Sequence, residues 1–209
     1  MKKKEHWENV YEKQPVSKLG WFEENPDPSL ELIEACKLGG DAILLNVGAG
    51  ATTLVDVLLE KGYENIVAND ISASALGKLK ARLGNELSGK VQWIVDDLTN
   101  PDKLHSVDPV DLWHDRAVLH FFNESAEQNA YFNLLRKLVK IEGYVIIAAF
   151  NLNGADKCSG LPVFRYDQNM LQEQLGLNFS LIEAFDYTYL MPSGNTREYV
   201  YTLFQRKSE

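Results

Sequence analysis

Hydrophobic residues along the chain form short continuous runs that alternate with segments of helical spacing. The runs at residues 43–47, 66–69 and 91–95 predict three strands, and those at 110–114 and 144–150 predict two more. A continuous apolar run is typical of a strand that is buried on both faces. Strands that alternate with helices at this spacing indicate a mostly parallel, doubly wound sheet with helices on both faces.

Between the strands, apolar residues recur every three or four positions and predict helices. Asp27 is expected to cap a helix that runs to about residue 37, and Ser72 to cap one that Gly84 ends. Further helices are predicted at residues 5–13, from Leu54 to Gly62, at 124–140 and at 167–175. Residues 179–190 and 196–205 are expected to form a closing antiparallel hairpin.

The strand at residues 43–47 ends abruptly in the turn Gly48-Ala49-Gly50, and a helical pattern begins at Leu54. This order places backbone N–H groups and a helix N-terminus beside any ligand at the strand's carboxyl end. A dinucleotide fingerprint would have a third glycine at position 53, which is Thr53, and no Lys-Ser/Thr pair follows the turn. NAD, FAD and ATP are therefore disfavoured, and a nucleoside without a pyrophosphate fits better.

Composition narrows the class of protein and its partners. The chain has 209 residues, of which 45% are hydrophobic, and this suits one soluble globular domain. Its net charge of −9 disfavours nucleic acid as a partner. No apolar run reaches the roughly 20 residues of a membrane span, and no signal peptide is recognised, so a cytoplasmic protein is expected. Cys36 and Cys158 make neither a disulfide framework nor a zinc cluster, and no metal is expected.

Acidic residues follow three of the predicted strands at the edge where such a sheet binds ligands. Asp70, Asp97 and Asp115 each stand at a strand end, and a single one would be interpreted as a turn or cap residue. Three acidic residues at successive strand ends, following a glycine turn, indicate that this edge of the sheet binds a ligand. A carboxylate at Asp70 can accept both hydroxyls of a ribose. Asp97 can accept a hydrogen bond from an exocyclic amine, and Ile71 can pack on the flat face of a base.

Taken together, these segments resemble a class I S-adenosylmethionine-dependent methyltransferase over nearly the whole chain. The motifs that carry the resemblance are L-N-V-G-A-G-A at 45–51, N-D-I-S at 69–72, V-D-D-L at 95–98, V-D-L-W at 110–113 with A-V-L-H at 117–120, and E-G-Y at 142–144. The resemblance implies a seven-stranded sheet in the order 3-2-1-4-5-7-6, with strand 7 antiparallel. It also implies S-adenosylmethionine as the cofactor.

The resemblance further implies which residues bind the cofactor. The glycine turn would contact its methionine part, Asp70 its ribose, Asp97 its adenine amine, and the backbone near Asp115 its methionine ammonium. The full expected set is Trp7, Tyr11, Trp21, Asn46, Gly48, Ala49, Gly50, Asp70, Ile71, Asp97, Leu98 and Asp115. Position 46 is usually Asp or Glu in this family, and an amide lacks the charge that attracts a cationic cofactor. A non-catalytic relative that only binds is therefore the alternative.

Candidates for catalytic residues follow the fourth strand. Methyl transfer needs an aligned nucleophile, and it needs a general base only if that nucleophile arrives protonated. His114, Asp115 and Arg116 are the candidates, although His114 is equally well interpreted as a packed strand residue. The Asn/Asp-Pro-Pro-Tyr/Phe run of methyltransferases that modify base amines or glutamine is missing after this strand, which disfavours those acceptors. A small molecule and a protein side chain both remain open as acceptors.

The first 25 residues are rich in aromatic side chains, including Trp7, Tyr11, Trp21 and Phe22. One interpretation is that these rings only pack the segment onto the domain. The other is that residues 1–22 cover the methionine end of the cofactor and exclude water, with Trp7 or Trp21 beside the cationic sulfonium. The second interpretation makes residues 1–209 a single methyltransferase domain, with 1–25 as its covering segment.

Overall fold

The computed structural model describes residues 3–208 and is built on a seven-stranded sheet. In chain order the strands are β1 (Ile43–Val47), β2 (Asn65–Asp70), β3 (Val91–Val95), β4 (Val110–Arg116), β5 (Val139–Phe150), β6 (Phe179–Leu190) and β7 (Thr196–Arg206). They lie in the order β3-β2-β1-β4-β5-β7-β6, and β7 is antiparallel to both of its neighbours. The predicted fold and strand order are therefore confirmed, whereas the part of the covering-segment prediction that concerns residues 1–2 lies outside the described residues.

Six α-helices and one small hairpin accompany the sheet. The helices are α1 (Lys3–Lys13), α2 (Asp27–Ala35), α3 (Leu54–Glu60), α4 (Ala73–Ser88), α5 (Ser125–Leu138) and α6 (Gln168–Leu175). A two-stranded hairpin of Lys157–Cys158 and Leu161–Pro162 stands apart from the main sheet, in the loop that follows β5. Within residues 3–208, no helix combines the length and the apolar character that crossing a membrane requires.

The two faces of the sheet are covered by different helices, because successive residues of a strand point to opposite faces. Leu44 of β1 packs into a core with residues of α2, α3 and α4, whereas Leu45 packs into a second core with residues of α5 and α6. Both leucines are almost completely buried. The sheet is therefore the middle of three layers, as the apolar strands predicted.

Two helix starts and one helix end test the local predictions. Ser72 caps α4 as predicted, by accepting a hydrogen bond from the backbone of α4. Gly84 does not end α4 as predicted: it forms a kink with φ of 71°, and the helix continues to Ser88. Glycine adopts this φ without steric cost, so the chain can re-enter the helix after it. Asp27 is not a capping residue, since Pro26 holds the N-cap position of α2 and no side chain caps that end.

Helix α1 is anchored by Glu8, whose carboxylate lies at the N-terminus of α4. One oxygen accepts hydrogen bonds from the Ser72 hydroxyl at 2.8 Å and from the Ser74 N–H at 3.0 Å, and the other accepts from the Ala73 N–H at 2.8 Å. A helix N-terminus has unpaired N–H groups and a partial positive charge, so a carboxylate stabilises it. Desolvation alone would raise the pKa of Glu8, but these hydrogen bonds outweigh it and lower the pKa to about 2.

We expect Glu8→Ala to loosen α1 from the domain. Loss of a capping carboxylate costs about 1–2 kcal/mol, which raises the population of the detached segment roughly 5–30-fold. Limited proteolysis measures this as faster cleavage between residues 3 and 25. Glu5→Ala is the control, because Glu5 is exposed on the same helix. Equal cleavage rates for the two variants would contradict the anchoring role.

Candidate active site

A cleft opens at the carboxyl edge of the sheet, where the strand order reverses between β1 and β4 and where ligands bind in doubly wound folds. Its residues come from three parts of the chain. The strand ends supply Gly48, Asn69, Asp70, Ile71, Asp96, Asp97 and Leu98; the N-terminal segment supplies Lys3, Trp7, Tyr11 and Trp21; the opposite wall is Arg116, Ala117, Val118, Phe121, Phe122 and Cys158. The structure thus brings together Trp7, Tyr11, Trp21, Gly48, Asp70, Ile71, Asp97, Leu98 and Arg116 from the predicted site.

Asp70 connects β2 to the glycine turn. One of its carboxylate oxygens accepts the Gly50 N–H at 2.8 Å, and the other accepts the Ser72 N–H at 2.8 Å. Burial raises the pKa of Asp70 to about 6, even though these N–H groups act in the opposite direction. Each oxygen has accepted only one of these hydrogen bonds, so each can also accept a hydroxyl from a ligand in the cleft.

Two adjacent carboxylates follow β3, and they differ in what they bind. Asp96 accepts N–H groups from Asp102 and Leu104 and so shapes the turn after the strand. Asp97 uses only Oδ1 inside the protein, where it accepts the N–H and the hydroxyl of Thr99 at 2.8 and 2.7 Å. Both oxygens of Asp96 accept backbone N–H groups, whereas within residues 3–208 Oδ2 of Asp97 makes no hydrogen bond. Asp97 therefore has an oxygen without any protein partner to offer a ligand.

The side chains of Val118 and Tyr11 pack closely against the glycine turn. Gly48 and Gly50 have φ of 59° and 58°, a region that other residues rarely adopt. A Cβ on Gly48 would lie 2.0 Å from a methyl carbon of Val118, and one on Gly50 would lie 2.5 Å from the Tyr11 hydroxyl. Ala49 is buried, and neither Ala49 nor Gly50 lines the cleft. Their predicted direct contact with the cofactor is therefore not supported.

Asp115 lies inside the protein because β4 continues past the predicted end, as far as Arg116. One oxygen of Asp115 accepts the Val118 N–H, and the other accepts the Leu119 N–H and the Tyr131 hydroxyl. Asp115 has no exposed surface, and burial raises its pKa to about 7. It holds the turn after β4 and does not reach the cleft, so neither the predicted catalytic role nor a cofactor contact through its side chain is supported.

His114 and Asn46 lie below the cleft, against a smaller cavity that Ser29 also lines. His114 Nδ1 is 3.0 Å from Asn46 Oδ1, and Nε2 is 2.9 Å from Ser29 Oγ. Burial, reinforced by the charge of Arg116, lowers the pKa of His114 to about 3. The imidazole is therefore neutral, and because an amide oxygen only accepts, Nδ1 donates to Asn46 while Nε2 accepts from Ser29. Neither residue lines the cleft itself, and both line the smaller cavity, which shares Gly48, Trp21 and Arg116 with the cleft. The catalytic role of His114 and the cofactor contact of Asn46 stay predictions.

Arg116 lies between the cleft and this smaller cavity. Its guanidinium donates to the Trp21 carbonyl at 2.9 Å and to the Tyr201 hydroxyl at 3.0 Å, and it lies 2.9 Å from a Glu23 oxygen. The side chains of this ion pair are only 7% and 5% exposed. A guanidinium stays protonated and only donates, so Arg116 is a binding and positioning group and cannot serve as a general base.

Aromatic side chains of the N-terminal segment cover the glycine side of the cleft. The Trp21 indole donates to the Tyr11 hydroxyl at 3.1 Å. Trp7 packs edge-on against Trp21 and Phe121, with ring centroids 5.4 and 4.9 Å apart. These rings therefore attach the segment to the domain and line the cleft at the same time.

Several functional residues carry no signal in the sequence. Lys3, Val118, Phe121 and Phe122 line the cleft, and Glu23 holds Arg116. Val118 belongs to the A-V-L-H motif at 117–120 but was not predicted to line the site, and no motif or spacing marks the others. The reason is that the N-terminal segment and the turn after β4 meet only in the folded chain. Within the described residues, no group of three or more His, Cys, Asp or Glu side chains could hold a metal ion.

Comparison with known proteins identifies the family. A family model described as a methyltransferase domain matches residues 39–206. The chain belongs to this methyltransferase family. The predicted enzyme class, an S-adenosylmethionine-dependent methyltransferase, is thereby confirmed. The N-terminal segment that covers the cleft lies outside the matched residues.

Individual relatives of this methyltransferase are distant. EEF1A lysine methyltransferase 2 of Mus musculus is 26% identical over 164 residues, which are 73% of this chain and 67% of that protein. The fold is similar to an S-adenosylmethionine-dependent methyltransferase from Anabaena variabilis, with a TM-score of 0.77, 12% identity, and 99% and 96% of the two chains covered. It is also similar to the N-methyltransferase NodS of Bradyrhizobium japonicum in complex with S-adenosyl-L-homocysteine, with a TM-score of 0.66, 12% identity, and 97% and 100% covered.

We expect Gly48→Ala to destabilise this methyltransferase by about 2–4 kcal/mol, since it combines a disfavoured φ with the contact to Val118. Gly62→Ala is the matched control, because Gly62 also has a positive φ of 88° but no atom within 4 Å of the added Cβ. Urea unfolding measures both variants. If Gly48→Ala is no more destabilising than Gly62→Ala, Val118 does not close on the turn.

His114→Gln tests whether this histidine is a neutral structural residue. In the folded protein its pKa is lowered, whereas the unfolded chain binds a proton near the usual value of 6.5. The contribution of neutral His114 to the free energy of unfolding is therefore complete above the unfolded-state pKa. It is lost as the pH falls below that pKa, by about 1.4 kcal/mol per pH unit. Between about pH 7 and pH 5, we expect wild type to lose roughly 2 kcal/mol of unfolding free energy relative to His114→Gln. A pH-independent difference between wild type and His114→Gln would contradict the assignment.

Proposed function

We propose that this methyltransferase binds S-adenosylmethionine in the cleft and transfers the methyl group to an acceptor that approaches past Trp21 and Cys158. The observation that carries the proposal is the position of Asp70. Its carboxylate lines the cleft while both of its oxygens are fixed by backbone N–H groups of the turn and of α4. A diol ligand would meet a preorganised acceptor there, with no reorganisation of the protein.

The lining of the cleft fits a nucleoside that carries no pyrophosphate. Asp70 would accept the ribose hydroxyls, Asp97 would accept the adenine amine, and Ile71 with Leu98 would supply apolar surface for the base. The cationic side chains that line the cleft are both paired with carboxylates: Lys3 with Glu127 and Arg116 with Glu23. A pyrophosphate would therefore find no unpaired cation among the described lining residues.

At the other end of the cleft, the lining suits a positively charged ligand group. The cofactor supplies a methyl group on a cationic sulfonium. Trp7 and Trp21 present aromatic rings, which attract cations and exclude water. Because Glu23 neutralises Arg116, the guanidinium does not repel such a ligand. We therefore propose that residues 3–25 cover the cofactor and form one domain with the rest of the chain.

The lining offers no histidine as a general base, within the part of the chain that the structure describes. Asp70 and Asp97 are assigned to the cofactor, and Arg116 only donates. The acceptor is therefore expected to react through an unprotonated nucleophile or to lose its proton to solvent. The hydrogen bond from His114 to Asn46 also weakens the case for a non-catalytic relative, since the amide at position 46 has a defined partner.

The name of the mouse relative supports a protein lysine as the acceptor. A third structural neighbour, a Burkholderia thailandensis N1-methyltransferase with bound 1,6-didemethyltoxoflavin, supports a small molecule. Both acceptor classes require the same cofactor site, so that site can be tested first.

We expect Asp70→Ala to weaken binding of S-adenosylhomocysteine by about 1–3 kcal/mol, roughly 5–150-fold, because the buried polar groups of both partners lose their hydrogen bonds. Isothermal titration calorimetry measures the dissociation constant. Asp186→Ala on the exposed edge strand β6 is the control and should bind as wild type. Thermal unfolding of both variants verifies that they are folded, and an unchanged dissociation constant for folded Asp70→Ala would place the ribose elsewhere.

A further inference from the structure

A second cavity adjoins the cleft on the far side of Trp21 and Cys158, which line both spaces. Phe150 at the end of β5, and Tyr199 with Arg197 on β7, form its walls. Trp21 lies at the cleft end that we assign to the methionine part of the cofactor. A molecule in the second cavity would therefore be next to the transferred methyl group.

The second cavity carries one unpaired positive charge. Arg197 is half-buried and donates to the Thr196 carbonyl at 3.0 Å, and within residues 3–208 no carboxylate pairs with it. No residue that lines this cavity is acidic, and Arg197 is the one charged side chain in the lining described by the structure. The remaining walls are mainly aromatic and aliphatic.

Cys158 forms part of the wall and is not a nucleophile. Burial raises the pKa of its thiol to about 11, although the charges of Arg197 and Arg116 act in the opposite direction. A thiol is a weak nucleophile compared with its thiolate. Cys158 lines both spaces, whereas Arg116 lines the cleft and Arg197 lines the second cavity.

We propose that this cavity binds the methyl acceptor, and that the acceptor is a flat small molecule with a carboxylate. This inference rests on the proposed function. The planar guanidinium of Arg197 matches a carboxylate and can bind it through two hydrogen bonds. Trp21, the aromatic lining residue that is only partly buried, would pack against the acceptor's ring, and the acceptor's nucleophilic atom would reach the cleft between Trp21 and Cys158.

The methyl transfer needs no reactant besides the acceptor and the cofactor. A lone pair of the acceptor forms the new bond to the methyl carbon while the carbon–sulfur bond breaks and the sulfur keeps that electron pair. The positive charge of the sulfonium is neutralised, and any proton on the acceptor atom leaves to water. The carboxylate takes no part in the chemistry, and its role is to orient the acceptor.

Local charge argues against a lysine side chain in this cavity. The chain as a whole has a net charge of −9, which favours cationic partners at long range. Inside the cavity, however, an ammonium group would lie near Arg197 with no carboxylate to accept its hydrogen bonds. Placing an ammonium group beside the Arg197 guanidinium, away from water, is disfavoured because the two charges repel. The cavity therefore selects an anion.

Fluorine NMR on the protein saturated with S-adenosylhomocysteine can test this selection. The probes are para-trifluoromethylbenzoate, its neutral amide, and the cationic para-trifluoromethylbenzylamine, which share one ring and differ in charge. We expect the benzoate to bind at least about tenfold tighter than the other two, as a charge-assisted hydrogen bond predicts. Arg197→Gln should remove this preference without changing the affinity for S-adenosylhomocysteine. Lys157→Gln, an exposed charge that does not line the cavity, is the matched control.

The outcomes separate this inference from the function on which it rests. If wild type does not bind S-adenosylhomocysteine, the proposed function fails. If it binds the nucleoside but binds the benzoate no better than the amide, or if Arg197→Gln retains the preference, the acceptor assignment alone is overturned. Tighter binding of the benzylamine would also overturn it, in favour of a lysine-like acceptor.

Discussion

The site depends on the buried carboxylate of Asp70, which ties the glycine turn after β1 to the start of α4. The turn has two residues at positive φ and is crossed closely by Val118 and Tyr11. Without a fixed partner, the Gly50 N–H would be left unpaired in the interior, and the turn would lose its anchor. The same end of α4 also receives Glu8 from α1. The ligand-binding edge and its cover are therefore built on one helix N-terminus.

In our proposal, local charge balance, rather than net charge, gives the two cavities different selectivity. In the cofactor cleft, Arg116 is paired with Glu23, and the free acceptor groups are carboxylates. In the adjoining cavity, Arg197 has no such partner within the described residues. Trp21 and Cys158 line both spaces, so in this proposal a cationic and an anionic reactant are each bound on the side that suits its charge.

The proposed acceptor cavity is lined both by strands of the sheet and by segments outside it. The N-terminal segment lies outside the residues that match the family. Phe150 and Tyr199 are buried in β5 and β7, whereas Cys158 and Ser159 lie in the loop after β5. Binding groups commonly lie on such segments, because a rigid sheet positions them while their sequences are not constrained by the core. A shared fold therefore carries no information about the acceptor.

The sequence pattern by itself determined the doubly wound sheet, its three layers and the place of the cleft, whereas the strand order came from the resemblance to the methyltransferase family. Hydrophobic runs and glycine turns are local signals, and the ends of parallel strands must meet at one edge, so Asp70 and Asp97 were predicted there correctly by position alone. What the sequence could not determine is the direction of each side chain. His114, Asp115 and Arg116 are consecutive, yet Asp115 joins the α5 side of the sheet while Arg116 reaches the cleft.

Only the tertiary structure decided these assignments, because strand residues alternate between faces and a shift of one position exchanges them. The hydrogen bond of Asn46 to His114, the capping of α4 by Glu8 and the unpaired charge of Arg197 likewise depend on contacts between distant segments. Burial and neighbouring charge, which set the chemistry of these groups, exist only once those segments have packed together.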